Sequence, residues 1–308
     1  MAPAITVYEV GPRDGLQNEA ATVPTVEKLA LVRALAEAGL RRIEATSFVS
    51  PRWIPQLADA DALVPALPRL PGVSYVVLVP NARGLERLVG ALRQVGEGAP
   101  AVAAAVFMSA SESHNRKNLN RSVAESLAEL GQVVPAAHAS GLAVRGYVST
   151  VFGCPYEGAV DPERAAAVAE ALLSFGCAQI SLGDTIGVAT PALTRRVVAR
   201  MVRTIPAEKL ALHMHDTRGT ALANVLAGLD LGITTFDASV GGLGGCPYAP
   251  GASGNLATED LVYMLAGMGY ETGVDFEKLI AAGALAQRLV GRRLPGKTLQ
   301  AELARTEA

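Results

Sequence analysis

Eight short runs rich in β-branched residues recur along this chain, each followed by a longer amphipathic stretch of Ala, Leu, Arg and Glu. That alternation admits few folds. The runs are residues 5–10, 42–45, 73–79, 101–108, 143–151, 178–182, 210–214 and 234–238, and their composition is that of strands. Between them the helical period is plain. Across 26–38, Leu29, Val32, Leu35 and Ala36 make one apolar stripe, with Lys28, Arg33 and Glu37 on the other face. Gly39 ends that helix as a left-handed cap, and Asp161-Pro162 opens another with Asp as N-cap. Strand then helix, eight times over, predicts an α/β chain folded as a (β/α)8 TIM barrel with extra C-terminal helices. A doubly wound open sheet would carry Gly-x-Gly-x-x-Gly after its first strand, a place held here by Gly11-Pro-Arg-Asp-Gly15. With 308 residues, 50% of them hydrophobic, residues 1–308 read as one barrel domain, its tail from about 277 to 308 being additional helix and a loose end.

Charge and cysteine usage exclude several functions. A formal net charge of −2 leaves no basic field for nucleic acid. No stretch approaches the roughly 18 apolar residues of a membrane span. Met1 leads into the first strand within a few residues, with no signal or transit segment in view. The cysteines, Cys154, Cys177 and Cys246, are an odd three, which fits a reducing cytoplasm better than a disulfide framework.

The chemically useful side chains fall at one kind of place. Arg13 and Asp14 follow the first strand and Glu44 lies in the second. Residues 109–118 follow the fourth and Asp184 the sixth. His213 and His215 end the seventh, and Cys246 and Asn255 follow the eighth. All are C-terminal strand ends, the face where barrel enzymes keep their active sites. His213-Met-His215 puts two imidazoles on one side of a strand, a pattern that favours a metal over two ordinary histidines at such a rim. Asp14 alone is explained by Asp-Gly turn chemistry. Taken with the histidines and the amide oxygen of Asn255, it completes a mixed oxygen and nitrogen set suited to Mg²⁺ or Mn²⁺. A structural zinc would want more thiolates than Cys246 alone provides.

Other side chains keep two readings. Arg13 is either a solvated charge or a donor to a developing oxyanion. Glu44 is either a buried acid paired with an arginine or a group that orients a ligand. Asp184 caps the following helix or takes part in chemistry. Cys246 sits in residues 239–255 among six glycines, a poor place to bury a thiol and a good one for a closing loop. Cys154 and Cys177 read as packing residues, and His138, on a helix away from the rim, as structural.

These segments resemble the hydroxymethylglutaryl-CoA lyases, within the metal-dependent barrel lyases and Claisen-type synthases. Val10-Gly-Pro-Arg-Asp-Gly-Leu-Gln-Asn-Glu19 is similar to the family's first-strand motif and Ile43-Glu-Ala-Thr-Ser-Phe-Val-Ser-Pro51 to its second. Ser181-Leu-Gly-Asp-Thr-Ile-Gly187 is similar to its sixth, His213-Met-His-Asp-Thr217 to its metal motif, and the Cys246 loop to its lyase signature. The resemblance runs from about Tyr8 to Lys297. It implies a divalent cation, Mg²⁺ or Mn²⁺, on Asp14, His213, His215 and Asn255. It implies catalytic roles for Arg13, Cys246, His213 (the base), Asp184 and Glu44, and substrate contacts from Arg13, Gln17, Ser47 and Asn118. The implied partner is an acyl-CoA, the assembly a homo-oligomer (dimer or tetramer), and the setting leucine degradation and ketone-body formation. The implied reaction is retro-Claisen cleavage of 3-hydroxy-3-methylglutaryl-CoA to acetoacetate and acetyl-CoA. Alternatives are a lyase for a longer 3-alkyl substituent, a condensing synthase, or a non-catalytic CoA-binding relic. Arg116 and Lys117 are open to two readings, a phosphate contact or a solvated basic loop.

Overall fold

In the computed structural model, which describes residues 4–245 and 254–307, eight parallel strands close into a barrel in sequence order. They are β1 (Thr6–Glu9), β2 (Arg42–Ser47), β3 (Ser74–Leu78), β4 (Val102–Ser109), β5 (Val144–Ser149), β6 (Gln179–Gly183), β7 (Leu210–His213) and β8 (Thr235–Ala238). β1 pairs with both β2 and β8, so no strand edge is left open. The expected fold is therefore the observed one. Only the ends of the strands shift. A register change between Glu44 and Thr46 lets β2 continue two residues past its expected end, to Ser47.

The helices are α1 (Thr25–Glu37), α2 (Ala60–Ala66), α3 (Ala82–Val95), α4 (Glu112–Leu119), α5 (Val123–Ala139), α6 (Pro162–Ser174), α7 (Pro191–Met201), α8 (Ala221–Leu229), α9 (Thr258–Gly267), α10 (Phe276–Val290) and α11 (Lys297–Glu307). Asp161 caps α6 as its sequence required, accepting from the Glu163 amide at 3.0 Å. His138, near the end of α5, bonds through Nε2 to the Gly176 carbonyl at 2.9 Å and is structural. Of the loose end expected from Leu294 onward, Lys297–Glu307 is instead helical. Asp260 accepts from the first amides of α11, Lys297 and Thr298, and Leu294 and Leu299 are buried beneath it.

The main core lies between the barrel and its helices, and a second, small cluster fills the barrel. That inner cluster holds Tyr8, Val10, Val76, Leu78, Ala105 and Tyr147. Beside it the barrel buries charge: Arg145 on β5, Asp237 on β8 and Glu44 on β2 are all below one-tenth exposed. Charges that deep persist when they are paired. No helix among the described residues is long and apolar enough to cross a membrane.

Candidate active site

The site begins with the turn after β1. Residues Gly11–Gly15 form one π-helical turn in which the amides of Arg13, Asp14 and Gly15 all converge on the Val10 carbonyl, at 3.2, 2.7 and 3.2 Å. Single π-turns are rare and often mark functional positions. Gly15 is required by contact: a Cβ there would stand 2.8 Å from both the Leu243 side chain and Ser239 Oγ. The Asp-Gly of the sequence is thus part of a π-turn rather than a simple β-turn.

Asp14, His213 and His215 bring one donor atom each to within 4.8 Å of one another. The two Nε2 atoms face each other at 3.3 Å, and Asp14 Oδ2 lies 4.0 Å from His213 Nε2. Asn255 arrives from the far side of the glycine-rich run. It is held by a bridge to His215, and the flanking pairs are Asp216 N to Gly254 O at 2.8 Å and Leu256 N to Met214 O at 3.1 Å. Gly254 must be glycine, since a Cβ would meet the Gly244 carbonyl at 2.4 Å. Asn255 Nδ2 donates to Asp14 Oδ2 at 2.8 Å and to the Leu243 carbonyl at 3.1 Å. Its two amide hydrogens so placed leave the oxygen, the only atom of that side chain able to ligate a cation.

Electrostatics make this an acceptor set. Burial first, and then the neighbouring His213, pull His215 down to about 4, so its ring is neutral near pH 7. His213 moves the other way. Burial alone would lower it, but the bond to Asp237 and the Asp14 carboxylate outweigh that. Burial opposes ionisation of Asp14, yet Arg13 and His213 hold its carboxyl well below the usual range. Two imidazole nitrogens facing each other beside a carboxylate cannot both point protons inward. The residues therefore fit a divalent cation with mixed nitrogen and oxygen ligands.

Arg13 lies next to this set. Its Nη1 donates to Asp14 Oδ1 at 2.5 Å, and its Nη2 pairs with Glu44 Oε2 at 2.6 Å. Among the described residues, neither Glu44 oxygen has a well-aligned hydrogen-bond donor, and Arg13 Nε is buried without a partner. The first reading of Glu44, an acid paired with an arginine, is what the geometry contains. Burial pushes its carboxyl up against the pull of Arg13.

The other expected residues divide. Asp184 is buried after β6, where Oδ1 accepts from Val188 N at 2.9 Å and Oδ2 from Ala189 N at 3.1 Å. It organises its own loop. The cap of α7 is Thr190, not Asp184. Burial raises Asp184 to about 6. Ser47 ends β2 with its Oγ accepting from Val49 N at 3.1 Å. Gln17 is half-buried just beyond the π-turn. Asn118 is exposed on α4, as are Arg116 and Lys117, and no hydrogen bond among the described residues joins them to the cluster. Cys154 is buried as expected, with Ser111 Oγ at 2.9 Å from its sulfur. Cys246 lies outside the described residues.

Sequence reasoning missed two pairs of buried residues. Arg145 Nη2 and Nη1 clamp Asp237 at 2.7 and 3.1 Å, and Asp237 Oδ2 faces His213 Nδ1 at 3.3 Å. Glu9 accepts from Gly11 N at 2.7 Å, Val240 N at 2.9 Å and Thr258 Oγ1 at 2.7 Å. Glu259 accepts from Gly241 N at 2.7 and 3.0 Å. The two glutamates thereby fasten the start of the glycine-rich run. For Arg145, Asp237 and Glu9 the signal available was a lone charge inside a strand, as in Thr235-Phe-Asp-Ala238.

The HMGL-like family model matches residues 4–286. The chain is 51% identical over 297 residues to the mitochondrial hydroxymethylglutaryl-CoA lyase of Bos taurus, covering 96% of this chain and 89% of that one. The crystal structure of the Bacillus subtilis HMG-CoA lyase superposes with a TM-score of 0.92 at 50% identity, covering 97% of this chain and 98% of that one. A lyase from Acinetobacter baumannii, solved with coenzyme A and 3-methylmalate, superposes with a TM-score of 0.89 at 40% identity, covering 97% and 95%.

Proposed function

The chain belongs to the HMGL-like family, and from that premise we propose that it cleaves 3-hydroxy-3-methylglutaryl-CoA to acetoacetate and acetyl-CoA. The observation that carries this reading is the Asp14–His213–His215 cluster at the barrel mouth with Arg13 against it. Asp14, His213, His215 and Asn255 would hold Mg²⁺ or Mn²⁺. When bound, such a cation supplies Lewis acidity toward a substrate oxygen. The C3 hydroxyl loses its proton, the C2–C3 bond breaks, and C3 becomes the ketone of acetoacetate. The electron pair passes to C2 as the acetyl-CoA enolate, whose oxygen we place against Arg13.

His213 was expected to serve as both ligand and base. Its Nδ1 faces Asp237, which leaves Nε2 as the single nitrogen for two roles. We give Nε2 to the cation and the proton to Glu44, whose oxygens lack aligned donors and whose carboxyl is pushed up by burial. Asp184 supports the loop after β6. Ser47 and Gln17 line the approach, and Asn118 takes an outer part of the acyl-CoA. Cys246 returns the proton to C2, since a thiol of ordinary pKa stays protonated near neutrality. Cys246→Ser should lose most activity yet melt and bind Mn²⁺ like the parent, and a Cys246→Ala variant with near-normal kcat would remove the thiol from the reaction.

The direct test is acetoacetate release with and without added Mg²⁺, from this substrate and from one with a longer 3-alkyl group. Cation-dependent release from the 3-methyl ester, faster than from the longer one, is expected. Condensation without measurable cleavage would favour a synthase instead, and no turnover of either ester a binding protein. We further propose a homo-oligomer acting in the cytoplasm, which suits its odd count of three cysteines. A monomeric mass by sedimentation would exclude the oligomer, and recovery of the protein outside the cytoplasmic fraction would exclude that location.

A further inference from the structure

A buried chain of contacts runs from the inner barrel to the cation cluster. The Arg145 guanidinium lies between two rings, with Cζ 3.8 Å from the centroid of Tyr8 and 4.8 Å from that of Tyr147. Its Nε donates to Gln179 Oε1 at 3.2 Å, and its two terminal nitrogens clamp both oxygens of Asp237. Ser181 Oγ donates to Asp237 Oδ2 at 2.7 Å, the same oxygen that faces His213 Nδ1.

We propose that Asp237, held by Arg145, is a positioning residue that fixes His213 with its proton on Nδ1 and its lone pair on Nε2, toward His215 and Asp14. An aspartate that accepts from an arginine and a serine is ionised, so it has no proton to give and the shared hydrogen must belong to the imidazole. Arg145 engages both carboxylate oxygens and so fixes the plane of Asp237, with Oδ2 turned toward His213 Nδ1. The rings on either side of Arg145 keep the clamp from swinging away.

This inference rests on reading His213 as a cation ligand, and the experiment separates the two. Histidine labelled with ¹⁵N in the cation-free protein reports the tautomer directly, and the chain has only four histidines to assign. At alkaline pH, where the ring is neutral, wild-type His213 should show Nδ1–H. Asp237→Asn, which can turn a donor toward Nδ1, should shift it to Nε2–H and weaken Mn²⁺ binding by about 10–100-fold. Wild-type His213 found as Nε2–H overturns the proposal even if the variant fails to fold. An unchanged tautomer in a folded Asp237→Asn protein overturns it too, and leaves the ligand reading intact. A shifted tautomer with unchanged Mn²⁺ affinity supports the positioning role and removes His213 from the ligands.

Discussion

Arg13→Met is expected to lower kcat by about 10²–10³ while leaving KM close to the parent value, because a donor aimed at developing charge matters most in the transition state. The geometry sets what else should change. Arg13 Nη1 is 2.5 Å from Asp14 Oδ1, so in the cation-free protein the guanidinium neutralises the carboxylate that a divalent ion would use. Removing it should leave Mn²⁺ affinity unchanged or raise it. Glu44, left without its partner at 2.6 Å, can take up a proton, since burial already pushes its carboxyl up. The melting temperature should therefore fall less than for a buried charge stranded in its ionised form. Steady-state kinetics, Mn²⁺ titration and a thermal melt on one preparation check all three. A variant that binds substrate poorly yet turns over at the parent rate would make Arg13 a binding group only.

The fold was legible because strands of a closed parallel barrel are buried on both faces and stand out as compact β-branched runs. The site was legible one step further on. Asp14 and His213 are far apart in sequence, yet both fall at C-terminal strand ends, and a barrel gathers those ends at one rim. What the sequence did not carry was pairing. Nothing in Val144-Arg-Gly-Tyr147 says that Arg145 reaches across the barrel to Asp237, and nothing near Glu9 points to the amide of Val240. These contacts join strands that are distant along the chain, and a lone charge in a strand has no spacing partner to announce it. Asp184 shows the opposite limit. Its position before a helix invited a capping role, whereas its two oxygens close the loop at Val188 and Ala189 and leave the cap to Thr190.

His215→Ala should produce a different signature from Arg13→Met, with Mn²⁺ affinity and activity lost together. His215 contributes one of the two facing Nε2 atoms, and its Nδ1 is buried without a hydrogen-bond partner. Among the described residues no bond beyond the cluster ties that ring to the protein, so the side chain serves the cluster. Loss of an outer partner of a metal ligand commonly costs about 10–100-fold in affinity, and loss of the ligand itself should exceed that range. Folding should be affected little. The bridge between His215 and Asn255 is made by backbone, which alanine keeps, and the flanking pairs Asp216–Gly254 and Leu256–Met214 are backbone as well. Asn255 should therefore remain beside Asp14, and saturating Mn²⁺ should restore part of the lost rate through the remaining ligands. A titration in which the variant binds Mn²⁺ as tightly as the parent would take His215 out of the cation site. A variant that binds weakly but is not helped by excess Mn²⁺ would instead give the ring a role in the reaction beyond holding the ion.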